Sequence, residues 1–268
     1  GGPMRTCAFS LMIGVMGSAF ANDLPKDLSY HGKPIDALCF SLTGENTSDK
    51  IDLSKCGISF EKYSPYVQND SMSKQGFIGF DWKDSHPSFT IYGSSYYKYF
   101  ISEPNSYYIY SVNNTGGSGS FSLLMLIKRL NDHTLSYKTF FGGDRCNGGI
   151  ADVKQDESGQ INVSVNLTPY DVYNPDANKS SKLAAYDDLA ACATCCIATA
   201  NFVVSKDKSQ FQGIRFNDFK LSDELPEQGK YQQCFNQLVT DYLKQGHQNL
   251  NEQQAKAFVS DFNKKCAS

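Results

Sequence analysis

Apolar and polar residues alternate with a period of two through most of the chain, and from residue 227 the period lengthens to three and four. The first pattern predicts strands with one buried face, the second amphipathic helices. Over 36–42, Leu38, Phe40 and Leu42 fall on one side and Ala37, Cys39 and Ser41 on the other, which predicts a first strand. Residues 77–82 predict a second, with Ile78, Phe80 and Trp82 on one face, and 88–93 a third. Residues 96–112 carry Tyr96, Tyr97, Tyr99, Tyr107, Tyr108 and Tyr110 around a Glu103-Pro104-Asn105 turn, predicting an aromatic hairpin. Tyrosine has an apolar ring and a polar tip, so such a hairpin either roofs a core or offers an exposed platform to sugar rings or a partner protein.

A polar loop over 113–119 leads to 120–130, where Leu123, Leu124, Met125, Leu126 and Ile127 run without a break. An unbroken run needs cover on both faces, so this segment is expected to be a central strand. Residues 131–133 turn the chain back into 135–141. The glycine-rich stretch 142–149 lacks the ending of a phosphate loop and the spacing of a dinucleotide fingerprint. It reads as a tight corner anchored by Cys146, with convergence of its backbone amides on an anion as the alternative. Strands over 150–154 and 161–167 flank a turn at 156–159, and 169–181 is a polar excursion. The Ala-rich 183–191 predicts a short helix leading into Cys192, Cys195 and Cys196. Strands over 197–205 and 211–219 follow, and Phe211 fits one register while Ile214 and Phe216 fit the other, predicting a β-bulge at Gly213.

Near the C-terminus Tyr231, Cys234, Phe235, Leu238, Val239, Tyr242 and Leu243 share one helical face, and Gly246 stops that helix. Asn251 with Gln254 reads as a capping box for a second helix bearing Ala255, Phe258, Val259, Phe262 and Cys266. The domain reading is one β-rich domain over 22–225 with a helical hairpin, 226–268, packed on it. The expected fold class is therefore mainly β with a C-terminal α-helical hairpin (α+β). Its antiparallel sheets form a sandwich or one strongly bent sheet.

Cysteine usage adds a compartment. Residues 1–3 read as a cloning remnant and 4–21 as a secretory leader, with Arg5, an apolar middle and Ala19-Phe20-Ala21 before cleavage near Ala21. Cys7 leaves with it. Cys39, Cys56, Cys146, Cys192, Cys195, Cys196, Cys234 and Cys266 remain as disulfide candidates in a secreted or periplasmic protein. Cys39–Cys56 is the first expected pair, closing a loop worth on the order of 3 kcal/mol in the chain-entropy model. Cys234–Cys266 across the helical hairpin is the second, competing with bridges to the central cluster. The leader is too short and Gly-rich for a membrane span of about 20 apolar residues, and no later stretch qualifies.

The formal net charge of -3, without a basic cluster, argues against a nucleic-acid partner. Cys192-x-x-Cys195 matches a dithiol motif in spacing alone, and a third sulfur at Cys196 favours structural bridges. His31, His86, His133 and His247 sit in no metal or nucleophile motif. Asp171, Asn174, Asp176 and Asn178 are oxygen-rich, but Lys179 breaks the EF-hand pattern. No catalytic residue, metal or cofactor is assigned. The expected function is a secreted, non-catalytic binding protein for a glycan or a partner protein. The alternatives are a hydrolase whose His and carboxylate meet only in space, and a thiol–disulfide protein using Cys192 and Cys195.

Overall fold

The tyrosine hairpin lies inside the largest of three antiparallel sheets. The computed structural model describes residues 24–41, 49–56, 70–117, 119–176, 189–192, 194–218 and 229–266. The expected leader lies outside them. A 3-10 turn (Lys26–Leu28) opens the described chain, followed by a small ladder of β1 (Ser29–Tyr30) with β2 (Lys33–Pro34). Next come α1 (Leu38–Ser41), β3 (Lys50–Asp52) and α2 (Asp70–Lys74). A meander of β4 (Ile78–Ser85), β5 (Thr90–Glu103), β6 (Ser106–Asn114), β7 (Phe121–Arg129) and β8 (Thr134–Gly143) follows. With β3 on the outer side of β8 it makes a six-stranded sheet, ordered β3-β8-β7-β6-β5-β4.

One turn of helix, α3 (Arg145–Gly148), leads to β9 (Ile150–Gln155), β10 (Ile161–Leu167) and α4 (Pro169–Tyr173). Then come β11 (Ala198–Ser205), β12 (Lys208–Phe216), α5 (Lys230–Lys244), β13 (Asn249–Asn251) and α6 (Glu252–Cys266). The second sheet has five strands, ordered β13-β12-β11-β10-β9. One sheet curls as a half-barrel.

Alternation and core agree. On β10, Ile161, Val163 and Leu167 are buried while Asn162 is exposed, so this sheet hides one face. The six-stranded sheet hides both. Tyr108 and Leu124 join the cluster shared with the second sheet and the C-terminal helices. Tyr97, Tyr107, Ile109, Leu123, Met125 and Ile127 face a second cluster built with Leu28, Ile35, Phe40 and Leu53 of the N-terminal segment. The unbroken run on β7 follows from cover on both sides.

Three bulges keep apolar residues on the covered faces. Leu124 pairs with Phe141 and Met125 with Thr139, so Phe140 is the extra residue, and Phe140 and Phe141 both reach the same cluster. Val163 pairs with Val153 and Val165 with Ile150, leaving Ala151 extra and both apolar neighbours inward. The slip expected at Gly213 is present: Asn201 pairs with Gly213 and Phe202 with Phe211. Gly213 has φ +146, and a Cβ there would meet the Leu250 carbonyl of β13 at 2.0 Å. That short strand in the interhelical loop went unforeseen.

Four disulfides close the described chain: Cys39–Cys56, Cys146–Cys196, Cys192–Cys195 and Cys234–Cys266, with Cα separations of 5.1, 5.9, 5.4 and 5.6 Å. Both expected pairs are among them. The helix reading near the C-terminus also holds. Asn251 and Gln254 exchange side-chain to backbone bonds at 2.9 Å, and Gly246 follows α5 with φ +80.

Two segments differ from expectation. Residues 38–41 form α1, not a strand. Ala37, Leu38, Cys39 and Phe40 are all buried, so cover on every side replaces alternation. Asp36 starts the turn by accepting the Leu38 N–H on Oδ1 at 2.9 Å. The polar excursion after residue 168 begins as α4, because Thr168 and Asp171 form a capping box with Pro169 in the first turn. The helix expected over 183–191 falls mostly outside the described residues, and Leu189, Ala190 and Ala191 are not helical.

Gly213→Ala is expected to lower the unfolding free energy by about 1–3 kcal/mol in urea denaturation. Gly119→Ala, where a Cβ meets nothing within 4 Å, is expected to leave it within about 0.5 kcal/mol.

Candidate functional site

Four of the six tyrosines are absorbed by the layers. Tyr96, Tyr97, Tyr107 and Tyr108 are 2, 0, 7 and 1% exposed, and Tyr99 and Tyr110 are partly buried. These four closed rings offer no stacking surface. The hydroxyls of Tyr97, Tyr107 and Tyr108 reach out of the sheet, and that of Tyr96 stays within it. Tyr97 donates to the Ile35 carbonyl at 2.8 Å and Tyr107 to Asp27 Oδ2 at 3.0 Å, both on the N-terminal segment. Tyr108, on the opposite face, donates to the Lys206 carbonyl at 2.9 Å, in the β11–β12 turn. Tyr96 donates to Asp81 Oδ1 at 2.9 Å.

The Tyr97 and Tyr107 bonds pin the N-terminal segment over the sheet. Arg129 adds two more, from one guanidinium nitrogen to the carbonyls of Asp27 and Ser29 at 2.9 Å each. Tyr30 Oη meets His133 Nδ1 at 3.1 Å, and the Cys39–Cys56 bridge ties α1 to the turn after β3. A cavity of about 570 Å³ lies between the segment, that turn and the start of β4. Ile35, Ala37, Leu53, Ile78 and Phe80 form apolar wall, and Tyr30, Lys33, Asp36 and Ser54 bring polar groups.

Asp36 is the chemically unusual member. Burial pushes its carboxyl up to about 6, against the opposing hydrogen bond from the Leu38 N–H. Oδ2 is closed to solvent and accepts no hydrogen bond. The other buried side-chain oxygen in that condition among the described residues is Asn113 Oδ1. It is a neutral amide oxygen in a polar patch with Ser111, away from any cavity described here. A titratable group shifted by burial, on the wall of a large apolar cavity, is the strongest physical mark of a ligand site among the described residues.

The remaining sequence candidates lie elsewhere. His86 Nε2 is 3.2 Å from Asp84 Oδ2, the one His–carboxylate pair within 4 Å among the described residues, and it sits on the exposed β4–β5 turn. A cavity of about 440 Å³ between α5 and α6 holds Asp241, His247 and Asp261. There Tyr242 donates to Asp261 Oδ2 at 2.6 Å, and burial first, then that bond, pushes its hydroxyl up to about 12. A third cavity, of about 320 Å³, brings the glycine corner (Gly142, Gly143, Gly149) beside Asp171, Asn174 and Phe202. Asp171 Oδ2 is already held by the Thr168 N–H and hydroxyl. Among the described residues no group of three His, Cys, Asp or Glu side chains is placed to hold a metal ion. Cys192, Cys195 and Cys196 are all in disulfides, so the triple sulfur is divided between a local bridge and the bridge to α3.

Sequence reasoning missed Asp36 as a site residue. Its environment depends on α1, which the alternation concealed. An Asp directly before a run of four apolar residues was the available signal.

No protein-family model, curated protein or solved structure matches the chain.

The Asp36 shift has a definite sign. Its folded value, about 6, lies above the ordinary 3.8, so folding favours the protonated form. Stability from this group is fully present below the unfolded value. It falls as pH rises from about 4 to about 6 and stays low above that. Asn keeps the acceptor for the Leu38 N–H without the charge. Asp36→Asn is therefore expected to raise Tm near pH 8, with the gain shrinking toward pH 4, read by calorimetry across that range.

Proposed function

We propose that this is a non-catalytic binding protein of an oxidising compartment, and that it receives a small, largely apolar ligand in the cavity beside Asp36. The compartment rests on the pairing of all eight cysteines outside the expected leader. No helix of the described residues is long and apolar enough to cross a membrane. The observation that carries the ligand reading is the cavity itself: about 570 Å³, mostly apolar wall, with Asp36 among its lining residues. Cavities of this size accept small molecules, and a few placed polar groups set orientation. The tyrosine hairpin enters this reading as the platform that holds the N-terminal segment in place rather than as a surface for sugar rings.

The reading replaces a glycan or partner protein with a small molecule because four of the six tyrosines that would stack on sugars are buried. It also sets the hydrolase second, since the His86–Asp84 pair has no cavity described beside it.

Trp82 is the chain's sole tryptophan and packs in the same cluster as Ile78 and Phe80 of the cavity wall, which makes it a built-in reporter. Titration with the neutral fluorophore N-phenyl-1-naphthylamine is expected to give saturable binding with energy transfer from Trp82. Ile78→Phe, which narrows the cavity, is expected to weaken it at least about tenfold while circular dichroism is unchanged. Non-saturable binding, or binding indifferent to Ile78→Phe, removes the proposal.

A further inference from the structure

We propose that the Cys192–Cys195 bridge is a thiol–disulfide exchange site that oxidises an external dithiol, whose thiolate attacks Cys192 while Cys195 leaves. The site is separate from the cavity beside Asp36 and needs nothing bound there.

Accessibility singles out the attacked sulfur. Of the eight cysteines in the four bridges, Cys192 is the exposed one. Cys56, Cys146, Cys196 and Cys234 are half-buried, and Cys39, Cys195 and Cys266 are buried. Exchange requires a thiolate to reach a disulfide sulfur, so a bridge with one sulfur toward solvent is the one open to it. Cys192 Sγ lies 4.0 Å from the Thr194 hydroxyl, in exposed surroundings. Cys195, by contrast, is 2% exposed. The Cys192 N–H donates to Cys195 Sγ at 2.8 Å. A backbone donor on that sulfur stabilises the charge it takes as it leaves, and a stabilised thiolate leaves faster.

This bridge is also the one least coupled to the rest of the fold. In the chain-entropy model a bridge stabilises more as its loop lengthens. The sequence separation is 3 here, against 17, 32 and 50 for the other bridges. By linkage, the fold protects the shortest loop least against reduction. The flanks of the bridge are held independently. The Ala190 N–H donates to Gln232 Oε1 and its carbonyl accepts from the Tyr170 N–H, while Cys196 is tied to Cys146 and the Ile197 N–H donates to the Leu167 carbonyl. Within the turn, the Cys195 N–H donates to the Cys192 carbonyl at 3.4 Å. Opening is therefore local, and the two sulfurs stay close enough to pair again.

The exchange runs in two steps. The attacking thiolate forms a new S–S bond to Cys192, and the electron pair of the old bond departs on Cys195. The second thiol of the same reductant, as its thiolate, then attacks the first, expelling Cys192 as a thiolate. The dithiol ends as a disulfide, and its two protons end on Cys192 and Cys195.

Graded ratios of reduced to oxidised dithiothreitol at about pH 8, followed by acid quenching, alkylation and peptide mass spectrometry, read the order in which the bridges open. Cys192 and Cys195 are expected to become alkylatable at a ratio at least about tenfold lower than any other cysteine of the four bridges, and to pair again in oxidised dithiothreitol. Two single-thiol variants read the direction of attack. Cys195→Ser, which frees Cys192, is expected to form a mixed disulfide with oxidised glutathione at least about tenfold faster than Cys192→Ser, which frees Cys195. Another bridge opening first or together with this one overturns the proposal. Equal rates for the two variants, with circular dichroism unchanged, overturn it as well. The order of opening is read on the wild-type protein, so it decides even where a variant fails to fold.

Discussion

A sheet whose two faces are both buried imposes the constraint on which this structure depends. The β5–β6 hairpin contributes large rings to each side, and tyrosine rings arrive with hydroxyls that need partners once they leave water. Tyr97 and Tyr107 find theirs on the N-terminal segment, Tyr108 on the turn between β11 and β12. A single hairpin therefore joins three layers, with dispersion supplied by the rings and orientation by the hydroxyls. Phenylalanine would fill the same volumes and leave the layers without their fixed register.

The N-terminal segment shows why that register matters. It has almost no regular structure of its own, a two-residue ladder and one turn of helix. Its position comes from outside: Tyr97, Tyr107, Arg129 and the Cys39–Cys56 bridge. A segment held at several separate points over a sheet need not follow the sheet closely between them. The cavity beside Asp36 occupies such a gap, and rigid attachment on either side keeps it from collapsing.

Period-two and period-three patterns made most of this fold legible, because they report which face of an element is covered. β7 was readable as central from its unbroken run, and Gly213 as a slip from the mismatch between Phe211 and Ile214. What could not be read involved cover that the chain supplies at a distance. Residues 37–40 were read as alternating between two faces, yet all four are buried, in a cluster with Tyr97, Tyr107 and Ile109 of β5 and β6. β13 is three residues long and is defined by its pairing with Gly213, Ile214 and Arg215 of β12. The tyrosine cluster was visible as a cluster, but its division between two faces follows from pairing register, such as Tyr97 with Ser111 and Tyr108 with Leu126. The Cys146–Cys196 bridge spans 50 residues and joins elements that meet only after both sheets pack.

Asp36 poses a question about residue choice. Its local task is to accept the Leu38 N–H and start α1, and asparagine does that equally well by the general ranking of turn and capping residues. What aspartate adds is a charge, and here the charge is unfavourable: burial raises the carboxyl to about 6, and one oxygen lacks a partner. Local structure thus accounts for the acceptor and leaves the ionisation without a structural use. A charge held against its own desolvation, on the wall of an apolar cavity with its other polar groups committed, fits a site shaped for something that arrives from outside. The same reasoning separates Asp36 from Asn113, whose buried, partnerless oxygen is neutral and belongs to an interior polar patch. Both are incomplete in hydrogen bonding, but only Asp36 combines that incompleteness with a charge and adjoining space for a ligand.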